Sequence, residues 1–320
     1  MLPYNWILEA QKRLDRYIHK TPLTYDPDLD IYIKWENHQL TGSFKIRGAL
    51  NKVQTLQPWE LGRGIVTASA GNHGQGVALA GKIVNAPVIV FVSEHVVPTK
   101  LESMRELGAD VRLVPGGYGD AEEAGLEHAT SSEMTWISAY DDGQVIAGGG
   151  TLGLEMIEED SHLLAATWIV PTGGGGLTSG IGTAIKEYPG SDQRPTLIAV
   201  QSDTSAFMYS SYHHGTQDGV IELPTLADGL SGPVAKNAIT IPLIRKLVDD
   251  FILVSEAEIT MAIRYAWLVY QETIEGSAAT SLAAVLTNKI KSRPAAIVIS
   301  GGNIQPELHQ DIVEGASWNQ

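Results

Sequence analysis

Six short β-rich runs, separated by stretches of helical spacing, constrain the fold more than any other feature of this chain. They are Ile65-Val66-Thr67-Ala68, Pro87-Val88-Ile89-Val90-Phe91-Val92, Val111-Arg112-Leu113-Val114, Thr167-Trp168-Ile169-Val170, Thr196-Leu197-Ile198-Ala199-Val200 and Ala295-Ala296-Ile297-Val298-Ile299. Most are near-continuously apolar, the pattern of strands buried on both faces. Residues 77–84, 99–107, 121–130, 151–158, 177–187, 256–271 and 277–291 carry helical spacing, and Ser255 followed by Glu256 and Glu258 reads as a helix start. Alternation of this kind predicts an α/β fold with parallel sheets covered by helices. A chain of 320 residues is long enough for about two domains. No linker rich in Pro and Ser separates them, so the boundaries rest on strand grouping. Residues 64–141 form one βα series; the strands at about 165–200, with the one ending at Ile299, form another. Pattern alone leaves the N-terminal segment with either.

Several function classes are excluded early. With 22 Lys and Arg against 37 Asp and Glu, the net charge of −15 repels phosphate backbones and anionic headgroups, so neither nucleic acid nor a membrane is expected as a partner. The absence of cysteine removes disulfides, thiolate metal sites and cysteine nucleophiles together. Residues 1–20 include Glu9, Lys12, Arg13, Asp15 and Arg16, which do not make a signal peptide, and no 18-residue apolar run occurs. A cytoplasmic location is expected.

Glycine is concentrated where strands end. In α/β sheets ligands sit at the carboxyl ends of strands, where amides of the next helix can hold an anion. Three loops fit. Ser69-Ala70-Gly71-Asn72-His73-Gly74-Gln75-Gly76 follows the first run and opens a helix from Val77. Thr172-Gly173-Gly174-Gly175-Gly176-Leu177 follows the fourth, and Ser300-Gly301-Gly302-Asn303 the last. Four consecutive glycines forfeit backbone entropy, and close approach of bare amides to a phosphate is a reason to keep them. The phosphate is not that of a dinucleotide. Read from Gly173 or Gly174, the last fingerprint position is Thr178 or Ser179, and the next strand ends in Gln201 where an acid is required. A Walker-type match at residues 76–82 continues with Ile83, which cannot ligate magnesium. Pyridoxal phosphate remains, which needs a Schiff-base lysine, a phosphate cradle and a partner for its ring nitrogen. Lys45 lies in the apolar, glycine-flanked stretch Thr41-Gly42-Ser43-Phe44-Lys45-Ile46-Arg47-Gly48-Ala49. Taken alone, it reads rather as an exposed lysine at a helix start.

Trp35-Glu36-Asn37 with residues 41–49, the loop at 69–76, the glycine run, Thr225-Leu226-Ala227-Asp228-Gly229 and Ser300-Gly301-Gly302-Asn303 together resemble the threonine dehydratase and serine racemase family of fold-type II pyridoxal phosphate enzymes. The motifs occur in the family's order over nearly the whole chain. The resemblance implies two open α/β domains, tryptophan synthase β-like, with the cofactor in the cleft between them. Residues 1–63 and 142–320 would form the large cofactor-binding domain and 64–141 a small mobile substrate-binding domain. It implies further that Lys45 carries the cofactor, Phe44 packs near its ring and Asn72 contacts its phenolic oxygen. Gly173, Gly174, Gly175, Gly176 and Leu177 would cradle its phosphate, Ser300 would meet its ring nitrogen, and Glu275 would lie in the segment facing it. The substrate carboxylate would meet the loop of Ser69, Ala70, Gly71, Asn72 and His73, with Tyr140 towards the substrate side chain. Ser300 reads equally as a serine opening a turn, and Asp141-Asp142-Gly143 beside Tyr140 as a solvated turn. His73 has no relay partner in sequence and receives a binding role at most.

The activity implied is β-elimination: dehydration and deamination of an L-3-hydroxy amino acid of threonine or serine type to a 2-oxo acid and ammonia. A larger 3-hydroxy amino acid such as 3-hydroxyaspartate or phenylserine, racemisation, and a non-catalytic pyridoxal phosphate or amino-acid binding protein are the alternatives. Ala70 stands where the racemase branch has a serine serving as second acid/base, and alanine has no proton to give. Gln201 and Phe207 stand where that branch places metal-binding carboxylates, so no metal is expected; the adjacent pair His213 and His214 does not suit one ion. Gly149 replaces a common glutamine, Gly276 a usual proline and Ala278 a usual glycine. The chain continues little past Asn303, so no feedback domain for isoleucine is expected, and family habit suggests a homodimer.

Overall fold

The computed structural model describes residues 2–94, 96, 98–190 and 194–315. Its strands are β1 (Leu23–Asp26), β2 (Ile31–Trp35), β3 (Ile65–Ala68), β4 (Val88–Ser93), β5 (Asp110–Val114), β6 (Thr135–Trp136), β7 (Thr167–Pro171), β8 (Thr196–Ser202), β9 (Asp250–Val254) and β10 (Ala295–Ile299). They form a six-stranded sheet ordered β1-β2-β10-β7-β8-β9 and a four-stranded sheet ordered β5-β4-β3-β6. Among these strands only the β1/β2 pair is antiparallel. Strands β3, β7 and β10 are buried along their whole length, as their unbroken apolar runs require, whereas the edge strand β1 is half-exposed. The N-terminal segment, which pattern could not place, supplies β1 and β2 to the larger sheet.

Four strands escape the apolar-run reading. β1, β6 and β9 are short or half-exposed, and β2 carries Lys34 at a fully buried position, which breaks the expected pattern. Several helices begin earlier than their periodicity, two of them by a full turn or more. The helix after β3 spans Asn72–Val84, so Asn72 and His73 lie in its first turn and not in the loop. The helix expected at 151–158 spans Gly143–Glu159, capped by Asp142, whose side chain accepts from Gln144 N and Val145 N. It runs through Gly148, Gly149 and Gly150, which disfavour helix. Close packing explains them: a Cβ on Gly148 would sit 2.3 Å from Arg47 O, and one on Gly150 would sit 2.8 Å from Gly180 O. The helix expected at 277–291 stops at Leu286.

One apolar cluster joins the helices Tyr4–Leu14, Gly143–Glu159 and Gly176–Lys186 to one face of the larger sheet, and a second fills the opposite face. Two more cover the faces of the smaller sheet, one including Ile46, Ala49 and Leu50 from the helix Lys45–Gln54. That helix therefore lies where both sheets' cores meet. Among the described residues no helix is long and apolar enough to cross a membrane.

Candidate active site

Residues 42–44 are zipped onto the end of β10. Ser43 and Gly301 form an isolated antiparallel bridge, Phe44 N donates to Ser300 O at 3.0 Å, and Gly302 N donates to Gly42 O at 2.9 Å. Lys45 follows as the first residue of its helix, half-buried, with Nζ 5.2 Å from the Phe44 ring centre and donating to Ala139 O at 3.4 Å. Burial lowers its pKa from 10.5 to about 8, against the opposing pull of Glu275. The helix Asn72–Val84 presses on it from the smaller sheet: a Cβ on Gly76 would lie 3.1 Å from the Lys45 carbonyl carbon.

The loop after β3 reaches the same place. Ser69 N donates to Phe91 O at 3.1 Å, and its Oγ accepts from Gly71 N at 3.2 Å. Ser69, Ala70 and Gly71 are partly exposed, and a Cβ on Gly71 would meet nothing within 4 Å, so the loop faces open space. Asn72 Nδ2 donates to Glu275 Oε1 and Oε2 at 2.8 and 2.9 Å, while its Oδ1 accepts from Asn303 Nδ2 at 2.7 Å. Asn72, Glu275 and Asn303 thus tie the smaller sheet's loop to the larger. His73 is buried beside them with Nε2 3.0 Å from Ile137 O. A carbonyl only accepts, so Nε2 carries the proton and Nδ1 is left bare, with no partner among the described residues. Burial and the nearby Lys45 push its pKa down to about 3 despite the Ile137 bond. The neutral imidazole is turned into the protein, which leaves its backbone amide for any role in binding.

The glycine run closes the third side. Gly175 takes φ +83°, and the helix Gly176–Lys186 opens directly after it. Among the described residues Ser179 is the first of this stretch whose amide meets a backbone carbonyl, that of Gly175 at 2.9 Å, so the preceding amides are available to an anion. Leu177 is buried at the second helical position. A Cβ on Gly173 would lie 2.8 Å from Leu230 Cα, and one on Gly174 would lie 2.4 Å from Tyr140 Cγ. Tyr140 therefore does not stand free towards a substrate: its ring lies on the glycine run and its hydroxyl accepts from Ala235 N at 3.1 Å. The solvated-turn reading of residues 141–143 is replaced as well, because Asp141 Oδ1 accepts from Ile239 N at 2.8 Å and Asp142 caps a helix. Tyr140 and Asp141 hold residues 235–239 beside the run.

The family described as pyridoxal-phosphate dependent enzyme matches residues 14–301. This chain belongs to the pyridoxal-phosphate-dependent enzymes. It is 39% identical over 321 residues to the L-threonine ammonia-lyase of Thermotoga maritima, covering 98% of this chain and 78% of that one. Among solved structures it is similar to the processed threonine deaminase isoform 2 of Solanum lycopersicum, with a TM-score of 0.88 and 29% identity over 98% of this chain and 93% of the other. The serine racemase of Dictyostelium discoideum is similar with a TM-score of 0.85 and 35% identity, over 95% and 99% of the two chains.

The residues of this pyridoxal-phosphate-dependent enzyme fit its cofactor. A weakly basic amine, glycine amides with no room for side chains, and the buried Ser300 just after β10, whose carbonyl accepts from Phe44 N, are groups of the kind the cofactor needs. Gln201 uses both ends of its amide in the protein, with Nε2 on Leu230 O at 3.3 Å and Oε1 accepting from Tyr209 N at 3.1 Å, and Phe207 is buried. His213 packs its ring on Tyr209 and pairs with Phe251 O at 3.2 Å. Sequence reasoning missed one group near the site, the buried ions Lys34, Glu36 and Arg47 with the partly buried Glu155. Its signals were a lysine inside an apolar strand and an arginine two residues after Lys45.

Proposed function

We propose that this enzyme dehydrates and deaminates an L-3-hydroxy amino acid of threonine or serine type, releasing a 2-oxo acid and ammonia. The observation that carries the reading is the Lys45 amine, weakened to a pKa of about 8 and one residue beyond the Phe44 amide that bonds Ser300 O. The names of the relatives at similar overall length agree with it. Pyridoxal phosphate, once bound, supplies an electron sink for the substrate's α-carbon. Gly173, Gly174, Gly175, Gly176 and Leu177 hold its phosphate, Lys45 its aldehyde carbon, and Phe44 packs near its ring. Asn72, oriented by Glu275, contacts its phenolic oxygen, and Ser300 meets the ring nitrogen, where a hydroxyl does not hold that nitrogen protonated.

Lys45 Nζ, which sheds its proton far more readily than an ordinary lysine, takes the α-proton. The amides of residues 69–73, at the start of the helix Asn72–Val84, bind the substrate carboxylate. Residues 64–141 act as a small mobile domain against 1–63 and 142–320. Racemisation is the weaker reading, because Ala70 supplies no proton on the face opposite Lys45. The enzyme works as a homodimer; Met261, Leu268 and Val269, exposed on one helical face, favour self-association.

The test is 2-oxo acid release from L-serine, L-threonine, 3-hydroxyaspartate and phenylserine, with chiral analysis of residual substrate and light scattering for the oligomer. Release from threonine or serine supports the proposal. Racemisation without 2-oxo acid, or turnover of the larger substrates alone, overturns it.

A further inference from the structure

Arg47 lies two residues beyond Lys45 in the same first helical turn, and it is fully buried. Its guanidinium forks between two carboxylates. Nε and Nη2 donate to Glu36 Oε2 and Oε1 at 2.7 and 2.8 Å, and Nη1 donates to Glu155 Oε2 at 2.9 Å. Glu36, also fully buried, accepts from Thr21 Oγ1 at 2.5 Å. Glu155 Oε1 accepts from the buried Lys34 Nζ at 2.6 Å, and Lys34 donates in turn to Thr21 O at 2.7 Å. Two cations and two anions cancel, and they join three segments: Lys34 and Glu36 from β2 and the turn after it, Arg47 from the helix Lys45–Gln54, and Glu155 from the helix Gly143–Glu159.

Stability is a poor reason for such a cluster, because well-packed apolar residues of similar volume often serve a fold as well as buried ions do. Geometry is a better one. A planar guanidinium fixes two carboxylates at set angles, which an ammonium cannot do. Glu36 opens the short helix Glu36–His38, at the head of the segment that delivers Lys45. Glu155 belongs to the helix Gly143–Glu159, whose Gly148 abuts Arg47 O. The fork thus locks the approach to Lys45 and its helical support to one side chain.

A shaft of about 160 Å³ leads to the cluster, lined by Gln11, Asp15, His19, Arg47, Thr151 and Glu155 among others. At roughly 30 Å³ per water it holds several, and neither Lys45 nor the glycine run lines it. The buried Arg47 side chain closes the shaft's inner end, so solutes can enter its place by this path, away from the candidate active site, once that side chain is removed.

We propose that Arg47 is a positioning residue for the elimination: its fork on Glu36 and Glu155 sets the first turn of the helix, and with it the Lys45 amine, relative to the cofactor. The proposal rests on Lys45 being the reactive lysine, which borohydride reduction and peptide mapping of the native enzyme check separately. Arg47→Lys keeps the charge and loses the fork. It should fold and load cofactor, with kcat per loaded site down about a hundredfold, the effect of a misplacement of ~1 Å, and KM little changed. Circular dichroism of the bound cofactor should change with it. Arg47→Ala opens the end of the shaft, and millimolar methylguanidinium should restore activity by about tenfold or more, while methylammonium at equal ionic strength should not. If Arg47→Ala does not fold, Arg47→Lys decides alone. Cofactor attached at Lys45 with kcat in Arg47→Lys within about twofold of the native value overturns the role of Arg47 only. A folded Arg47→Ala indifferent to methylguanidinium does the same. Native enzyme reduced at a lysine other than Lys45 overturns the site assignment and this inference together.

Discussion

Replacing Gly174 by alanine tests the phosphate cradle at its tightest contact. The added methyl would lie 2.4 Å from Tyr140 Cγ, 2.5 Å from Cδ1 and 2.9 Å from Cδ2, about 1 Å short of ordinary contact with the nearest atom. The ring cannot swing away freely, since its hydroxyl accepts from Ala235 N and the next residue holds Ile239 N. Either the ring or the glycine run must move, and overpacking of this kind costs about 1–3 kcal/mol. If the displacement falls on the run, the amides lose their aim at the phosphate and cofactor affinity drops by about 5- to 150-fold. Titrating apoprotein with pyridoxal phosphate by absorbance gives Kd directly. Removing the obstacle with Tyr140→Ala in the same chain should recover much of the loss, giving a double-mutant coupling of about 0.5–3 kcal/mol. A Gly174→Ala protein with native Kd, or one that Tyr140→Ala does not relieve, would refute the claim that Tyr140 and the run are fitted to each other.

Lys45→Ala should abolish turnover, and a variant with substantial activity would remove the lysine from the mechanism. With a pKa of about 8 in place of 10.5, the Lys45 amine of apoprotein should react with pyridoxal phosphate at a rate rising with pH and levelling above about 8, measured by stopped-flow absorbance; continued rise towards 10.5 would contradict the burial effect. The same lowered pKa means the unfolded chain binds the extra proton between those values, so this group opposes folding of apoprotein below about pH 8 and the opposition fades from about 8 to 10.5, readable in urea melts. Ala70→Ser should raise racemisation relative to elimination, and chiral chromatography showing an unchanged ratio would count against the face argument. Gly148→Ala should destabilise towards the upper end of about 1–3 kcal/mol in urea unfolding, because the atoms it meets at 2.3 to 2.8 Å are backbone of Arg47 and Gly48 and cannot step aside.

What sequence made legible were features written locally: buried strands as apolar runs, and glycine loops at the ends of β3, β7 and β10. Phe44 N on Ser300 O ties Lys45 to the end of β10, and Tyr140, next to the Ala139 carbonyl that the Lys45 amine meets, lies on the glycine run after β7, contacts of the kind that gather at the carboxyl ends of parallel strands. What it hid were contacts between distant segments. Asn72 and Glu275 are 203 residues apart and Arg47 and Glu155 are 108 apart, so no spacing rule relates them. The resemblance points Tyr140 towards the substrate side chain, and no local pattern in the sequence shows that its ring lies on Gly174.

Lys45 and Arg47 show why burial of charge resists sequence reading. Both are basic, both stand in one helical turn, and composition rules send both to the surface. The difference lies in what faces them. Burial would discharge Arg47, but Glu36 and Glu155 at direct contact more than compensate and keep it firmly protonated. Lys45 has burial without such contact: its amine meets a carbonyl at 3.4 Å, and Glu275 acts on it too weakly to offset desolvation. One turn of helix therefore carries a cation fixed in place and an amine that gives up its proton at about pH 8. Had Glu36 or Glu155 faced Lys45 instead, the amine would stay charged and could neither join an aldehyde nor accept a proton.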